Sequence, residues 1–285
     1  MRRYVAPAKV NLSLHVSPPR DDGYHPIESL VQTVDLLDHL ELESSDEDRF
    51  EVVGDHQIDP DDDLVMRSLR LVRAEHSVPP VSLRLQKVIP SEAGLGGGSS
   101  DAAATLMALA EVAQLESGLP ARLAPSLGAD VRLFLLGGTL LMTGIGETLE
   151  RVPPPTDFAV ALAVPQFGLA TSDVYRRWDE MEGPTDNAVQ PGRLPPSLRD
   201  GMPIRNDLLP AALDLEPRLG DFMADLRGAW GTAVLMTGSG SACFSLFADV
   251  GEADGAAQAV SAVCRFSAGV TLRSTGVGRE GLGDQ

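Results

Sequence analysis

The run Pro90-Ser91-Glu92-Ala93-Gly94-Leu95-Gly96-Gly97-Gly98-Ser99-Ser100-Asp101 is the most chemically suggestive stretch of this 285-residue chain. Glycines admit positive φ and let the backbone approach a bulky anion. A helix starting beyond them turns its unpaired N–H groups and positive dipole end toward that anion. Alternation over Val81 to Ile89 predicts a strand before the glycines. Leu106, Leu109, Ala110 and Ala113 predict a helix over Ala102 to Leu115 after them. Strand, glycine loop and helix in that order form a phosphate cradle, in which Ser99 and Ser100 can cap the helix, donate to phosphate or ligate Mg²⁺. The bland alternative is a glycine turn with a serine N-cap. Neither common nucleotide motif fits. A Walker A loop needs Lys where Ser99 stands, and a dinucleotide fingerprint needs Gly there. The one G-x-G-x-x-G match, Gly276 to Gly281, has no helix to follow it.

Three further sites carry weaker signals. Asp130, in Gly128-Ala129-Asp130 before the apolar run Val131 to Leu136, can receive a hydroxyl proton in phosphoryl transfer. Taken alone it reads as an N-cap or turn aspartate. Lys9, in Ala6-Pro7-Ala8-Lys9-Val10-Asn11, can steer an acceptor oxygen or a γ-phosphate, or is a solvated strand lysine. Tyr24-His25 is either a platform for a base or sugar or a polar turn. Of the 23 lysine and arginine residues only Lys9 and Lys87 are lysines, and both lie in or beside these segments. An arginine cannot replace a compact ammonium.

The surrounding pattern predicts a two-domain α+β protein. Val5 to Val16 and Ile27 to Leu42 alternate as strands, joined by a polar loop. An acidic turn, Asp59 to Asp63, precedes a helix over Leu64 to His76 with Val65, Leu69 and Val72 on one face. Pro153-Pro154-Pro155 sets the boundary between domains at 1–153 and 154–285. Beyond it the pattern predicts strands at Phe158 to Val164, Thr232 to Met236, Cys243 to Phe247 and Val270 to Arg273. Helices are predicted at Glu216 to Gly228 and Glu252 to Val263, and a long loop at Gly183 to Arg205. The net charge of −18 argues against a nucleic-acid partner. It leaves room for phosphate ligands held by backbone N–H groups and a cation. No apolar stretch reaches the roughly 20 residues that cross a bilayer. The first residues lack the apolar run of a secretory signal, and two cysteines, Cys243 and Cys264, fit a reducing cytoplasm.

Three segments in order, Ala6 to Leu14 (APAKVNLSL), Pro90 to Ala104 (PSEAGLGGGSSDAAA) and Leu235 to Phe247 (LMTGSGSACFSLF), resemble the motifs of one superfamily. It is the galactokinase–homoserine kinase–mevalonate kinase–phosphomevalonate kinase (GHMP) superfamily. The resemblance implies an N-terminal domain like ribosomal protein S5 domain 2 and a C-terminal ferredoxin-like α/β plait. It also implies ATP and Mg²⁺ as cofactors. Asp22 to Asp38 (DGYHPIESLVQTVDLLD), Thr171 to Asp179 (TSDVYRRWD) and Arg205 to Leu208 (RNDL) resemble the branch that phosphorylates 4-diphosphocytidyl-2-C-methyl-D-erythritol for isoprenoid synthesis.

Carried onto this chain, the resemblance implies that Lys9 and Asp130 are catalytic. Pro90, Gly94, Leu95, Gly96, Gly97, Gly98, Ser99 and Ser100 would bind ATP, with Ser100 also on Mg²⁺. Asn11, Tyr24, His25, Thr171, Tyr175, Gly238 and Ser239 would contact the substrate, the aromatic rings sandwiching its cytosine. The expected partner is that small molecule, with no nucleic acid or membrane, in a cytoplasmic monomer or homodimer. Departures from the family pattern are Arg132 for Pro, Asp63 for Asn, and Ser91-Glu92 for small apolar residues. The rival readings are a sibling kinase for another alcohol, such as homoserine or mevalonate, and a non-catalytic nucleotide binder.

Overall fold

The computed structural model describes all residues except 55–62, 182, 184–187, 191–193, 200 and 282–285. Its first element, β1 (Arg2–Val16), alternates in sequence yet is buried on both faces for most of its length. It pairs antiparallel with β2 (Ile27–Ser44) through irregularities at Pro7/Ala8 and Asn11/Ser13. Such bulges reverse which side chains face which layer. Tyr4 and Ala6 accordingly enter one core, whereas Ala8, Val10 and Leu12 enter another.

The long β2 serves two neighbours: its first third pairs with β5 (Thr139–Gly144) and its last third with β4 (Val81–Gln86). β3 (Arg49–Val53) runs parallel to β4, and β6 (Thr148–Arg151) closes on β5. Helices α1 (Leu64–Glu75), α2 (Gly97–Val112), α3 (Leu119–Leu123) and α4 (Val131–Leu136) cover this sheet and bury the first core against it. Asp63 caps α1, accepting from Val65 N at 2.6 Å. Asp59 to Asp62, the rest of the expected acidic turn, lie outside the described residues.

After the prolines the chain builds a four-stranded antiparallel sheet in the order β10 (Phe266–Val270), β7 (Ala159–Val164), β9 (Cys243–Phe247) and β8 (Leu235–Met236). In it, β7 turns Ala159, Ala161 and Ala163 toward α5 (Thr171–Glu180), α7 (Leu209–Leu215), α8 (Arg218–Trp230) and α9 (Val250–Val260). Val160, Leu162 and Val164 face the first sheet. A buried layer of Ala8, Val10, Leu12, Phe244 and Val270 thus welds the two sheets. The remaining elements are α6 (Pro196–Arg199) and β11 (Gly278–Arg279).

Several expectations need correction. The chain does not stay in the second unit after residue 153: Leu272 bridges Val34, and β11 pairs with β1 in the first sheet. An open β1 edge leaves backbone groups unpaired, and the C-terminal segment satisfies them. The helix after the glycine loop begins at Gly97 rather than Ala102 and ends at Val112 rather than Leu115. Its glycines and serines are poor helix formers, but a Cβ on Gly97 would crowd Ile89 Cγ2 at 3.0 Å and Lys87 Nζ at 3.2 Å. The strand expected at Val81 to Ile89 stops at Gln86, because Asp38 takes the N–H groups of Val88 and Ile89. The last strand of the second sheet is Phe266–Val270, not Val270 to Arg273, and only Leu235–Met236 of Thr232 to Met236 is strand. Within Gly183 to Arg205, the described Pro196–Arg199 is helical.

Candidate active site

The two glycine-bearing motifs meet at the outer edge of β1, which carries the third. Lys9 N donates to Leu95 O at 3.0 Å, and Asn11 N donates to Thr237 Oγ1 at 2.9 Å. Ala242 N donates to Ala93 O at 3.2 Å. The glycine loop and the Thr237–Gly240 turn therefore act as partners for β1 where a neighbouring strand would otherwise lie. Gly94 is required by this contact: at φ +72°, a Cβ on it would sit 2.4 Å from Thr237 O.

Between these segments opens a cleft of about 600 Å³. The N-terminus of α2 forms its floor, with Gly96, Gly97, Gly98 and Ser99 on the wall. Gly96 is the N-cap at φ +75°, so no side chain covers the first N–H groups of the helix. Unpaired donors and the dipole's positive end together suit an anion.

Lys9 is 5 % exposed. Its Nζ donates to Asn11 Oδ1 at 2.6 Å and to Gly94 O at 2.7 Å. Burial pulls the Lys9 ammonium below the usual lysine range, and the Asp130 charge opposes that pull. Asp130 stands at the N-cap position of α4, yet its side chain does not cap the helix. A carboxylate at an N-cap ordinarily accepts from the first turn. This one instead lines the cleft near Lys9 and Tyr175. Tyr175 is pushed up to about 12 by burial and by Asp130, so its hydroxyl stays protonated.

Opposite the glycine loop, Gly238 approaches Lys9 so closely that a Cβ would lie 3.3 Å from Nζ. Ser239 Oγ hydrogen-bonds Thr171 Oγ1 at 2.8 Å, joining the start of α5 to the glycine turn. An anion cradle, a buried ammonium and a carboxylate that caps nothing thus face one cavity, which is the equipment for phosphoryl transfer to an alcohol.

Known proteins resemble this chain in sequence and in fold. The family described as "GHMP kinases N terminal domain" matches residues 63–138, and "GHMP kinases C terminal" matches 194–265. The 4-diphosphocytidyl-2-C-methyl-D-erythritol kinase of Sinorhizobium medicae is 38 % identical over 280 residues, covering 90 % of each chain. That of Bacillus subtilis is 37 % identical over 85 % of this chain and 86 % of its own. The chain belongs to the 4-diphosphocytidyl-2-C-methyl-D-erythritol kinase family. A crystal structure of a 4-(cytidine 5'-diphospho)-2C-methyl-D-erythritol kinase superposes with a TM-score of 0.78 at 34 % identity, covering 94 % of this chain and 99 % of the other. Homoserine kinase from Cytophaga hutchinsonii shares the fold, with a TM-score of 0.67 at 19 % identity. The protein is a GHMP-type kinase, α+β in class, with both domains of that fold.

Of the residues picked out in sequence, Lys9, Asn11, Pro90, Gly94 to Ser99, Asp130, Thr171, Tyr175, Gly238 and Ser239 line the cleft. Three do not. Ser100 lies one residue deeper in the first turn of α2, wholly buried, and its Oγ meets no partner among the described residues. Ser99 is the serine on the cleft wall. Tyr24 is 61 % exposed in the loop before β2. His25 sits behind Tyr175, the ring centroids 5.2 Å apart, edge-on to Trp178 at 5.3 Å. Its Nε2 is 3.4 Å from Asp179. Among the described residues Tyr175 supplies the one aromatic face that reaches the cavity, His25 braces it, and the sandwich drawn from sequence is not assembled.

Sequence reasoning met Asn206 only inside the RNDL segment and gave neither it nor Lys87 a role in the site. Asn206 Nδ2 donates to Met236 O and Gly238 O, both at 2.8 Å, while Oδ1 accepts from Leu208 N at 2.9 Å. It pins the glycine turn to the start of α7, a role without a local signature. Arg132 is exposed and reaches Glu147 O at 3.3 Å, on the turn whose Ile145 and Gly146 line the cleft. No helix of the described residues is long and apolar enough to cross a membrane.

Proposed function

We propose that this kinase transfers the terminal phosphoryl group of ATP to the 2-hydroxyl of 4-diphosphocytidyl-2-C-methyl-D-erythritol, in the non-mevalonate route to isoprenoids. The observation that carries the reading is that the Asp130 carboxylate, which caps no helix, and the buried Lys9 ammonium line one cleft beside the α2 cradle. In it, the N–H groups of Gly97, Gly98 and Ser99 hold phosphate oxygens. Lys9, fixed by Asn11 and Gly94, stabilises charge on the transferring group. Asp130 orients the acceptor hydroxyl and receives its proton. Tyr175 offers the cytosine a ring face braced by His25.

Mg²⁺ would neutralise charge on the phosphates. The donors present fit it. Ser99 Oγ lies 4.0 Å from the position of a Cβ on Gly128, beside the turn carrying Asp130. A hydroxyl and a carboxylate are the hard oxygens this ion takes alongside nucleotide phosphates. Ser100 is not part of that set.

The test is ADP release with Mg-ATP and the cytidyl substrate, with homoserine, mevalonate and galactose as controls. Turnover with the cytidyl alcohol alone is the expected result, and turnover only with a control refutes the substrate assignment. Asp130→Asn should keep ATP binding and lose about 10²–10⁴ in kcat, the usual worth of a positioned acid–base group. Near-normal turnover in that variant would remove Asp130 from its role.

A further inference from the structure

Lys87, with a side chain only 3 % exposed, is held between two carboxylates that are buried themselves. Its Nζ donates to Asp38 and, at 2.6 Å, to Asp101 Oδ2. The other oxygen of Asp38 accepts from Val88 N at 2.5 Å and Ile89 N at 2.9 Å. These bonds grip the phosphate loop at both ends. Val88 and Ile89 lead into it from β4, and Asp101 lies in the first turns of α2 just beyond it. The Lys87 ammonium also touches the loop from below, 3.2 Å from where a Cβ on Gly97 would stand.

A buried ion cluster is poor support for a purely stabilising role, because an apolar replacement of equal volume often does as well. What such a cluster supplies and apolar packing does not is directional bonding, which here fixes two chain segments relative to one ammonium. The three side chains belong to β2, the end of β4 and α2, so they also set the helix against the sheet.

We propose that Asp38, Lys87 and Asp101 form a positioning clamp that holds the phosphate loop in its anion-binding shape and thereby sets the affinity for ATP. The proposal rests on the reading of that loop as the ATP site. It does not depend on which alcohol is phosphorylated.

Two substitutions at Asp101 test it, since both leave Lys87 paired with Asp38 and remove no cleft-lining group. Asp101→Ala removes the acceptor and should raise both the ATP Kd, measured by calorimetry without acceptor, and the ATP KM by about tenfold, as loss of one charge-assisted hydrogen bond does. The KM for the alcohol should stay unchanged. Asp101→Asn retains an oxygen that accepts from Lys87 and should keep the ATP Kd within about twofold of the parent chain. A residue with a merely structural role would lower the melting temperature and the active fraction while leaving the ATP Kd where it was.

An unaltered ATP Kd in Asp101→Ala, or an equal loss in Asp101→Asn, overturns the clamp. If the parent chain binds ATP but does not turn over the cytidyl alcohol, the substrate reading fails and the calorimetric comparison still decides the clamp. If the parent chain does not bind ATP, both fall.

Discussion

Replacing Gly96 by Ala should destabilise the protein far more than the same change at Gly98, two residues on in the first turn of α2. Gly96 sits at φ +75°, ψ 17°, a left-handed conformation that costs an L-residue about 1–2 kcal/mol. A Cβ there would stand 2.6 Å from Phe134 Cζ and 3.0 Å from Cε2. Phe134 is fully buried in the first core and has nowhere to move. Overpacking of this kind costs about 1–3 kcal/mol. The two costs together come to about 2–5 kcal/mol, a large share of the roughly 5–15 kcal/mol by which proteins are stable. Gly98 is helical, and a Cβ there would meet only Leu64 Cδ1 at 3.5 Å. Ala at that position should stabilise by about 0.5–1 kcal/mol through helix propensity and a less free unfolded chain. The assay is urea unfolding of both variants without nucleotide, followed by circular dichroism. Gly96→Ala within about 1 kcal/mol of the parent chain would refute the reasoning. So would a Gly98→Ala variant that falls as far as Gly96→Ala.

Two further outcomes follow from particular side chains. Asp63→Ala removes the N-cap of α1 and should cost about 0.5–2 kcal/mol in thermal or urea unfolding. An unchanged midpoint would mean the Asp63–Val65 bond contributes nothing. Tyr175→Ala should weaken the cytidyl substrate by about 1–3 kcal/mol, the usual worth of one base–aromatic stack, and leave the KM for ATP unchanged. A loss confined to ATP would move Tyr175 off the base. Tyr175→Phe should reproduce the parent pH profile below pH 10, because the Tyr175 hydroxyl, pushed up to about 12, does not ionise in that range. A missing alkaline limb in the variant would show that it does.

What the sequence determined by itself was whatever rests on local pattern. Alternation marked β1 and β2, a glycine run between strand and helix marked a loop that lines the cleft, and the order of three motifs marked the superfamily. These signals are legible because backbone geometry and near-neighbour sterics produce them within a few residues. The bulges at Pro7/Ala8 and Asn11/Ser13 were hidden, although they split the β1 side chains between two cores. So were the return of residues 278–279 to β1 and the burial of Ser100 one residue past the cleft wall. Asp130 shows the division most clearly. From its own segment it was an N-cap aspartate, and the N-cap position is where it stands. Its carboxylate lines the cleft near Lys9, across more than a hundred residues of chain. Lys87 was visible only as one of two lysines, while its partners Asp38 and Asp101 come from β2 and α2. Propensity acts over a turn or a strand pair, whereas burial and ion pairing depend on which surfaces the folded chain brings together, and only the tertiary structure decided that.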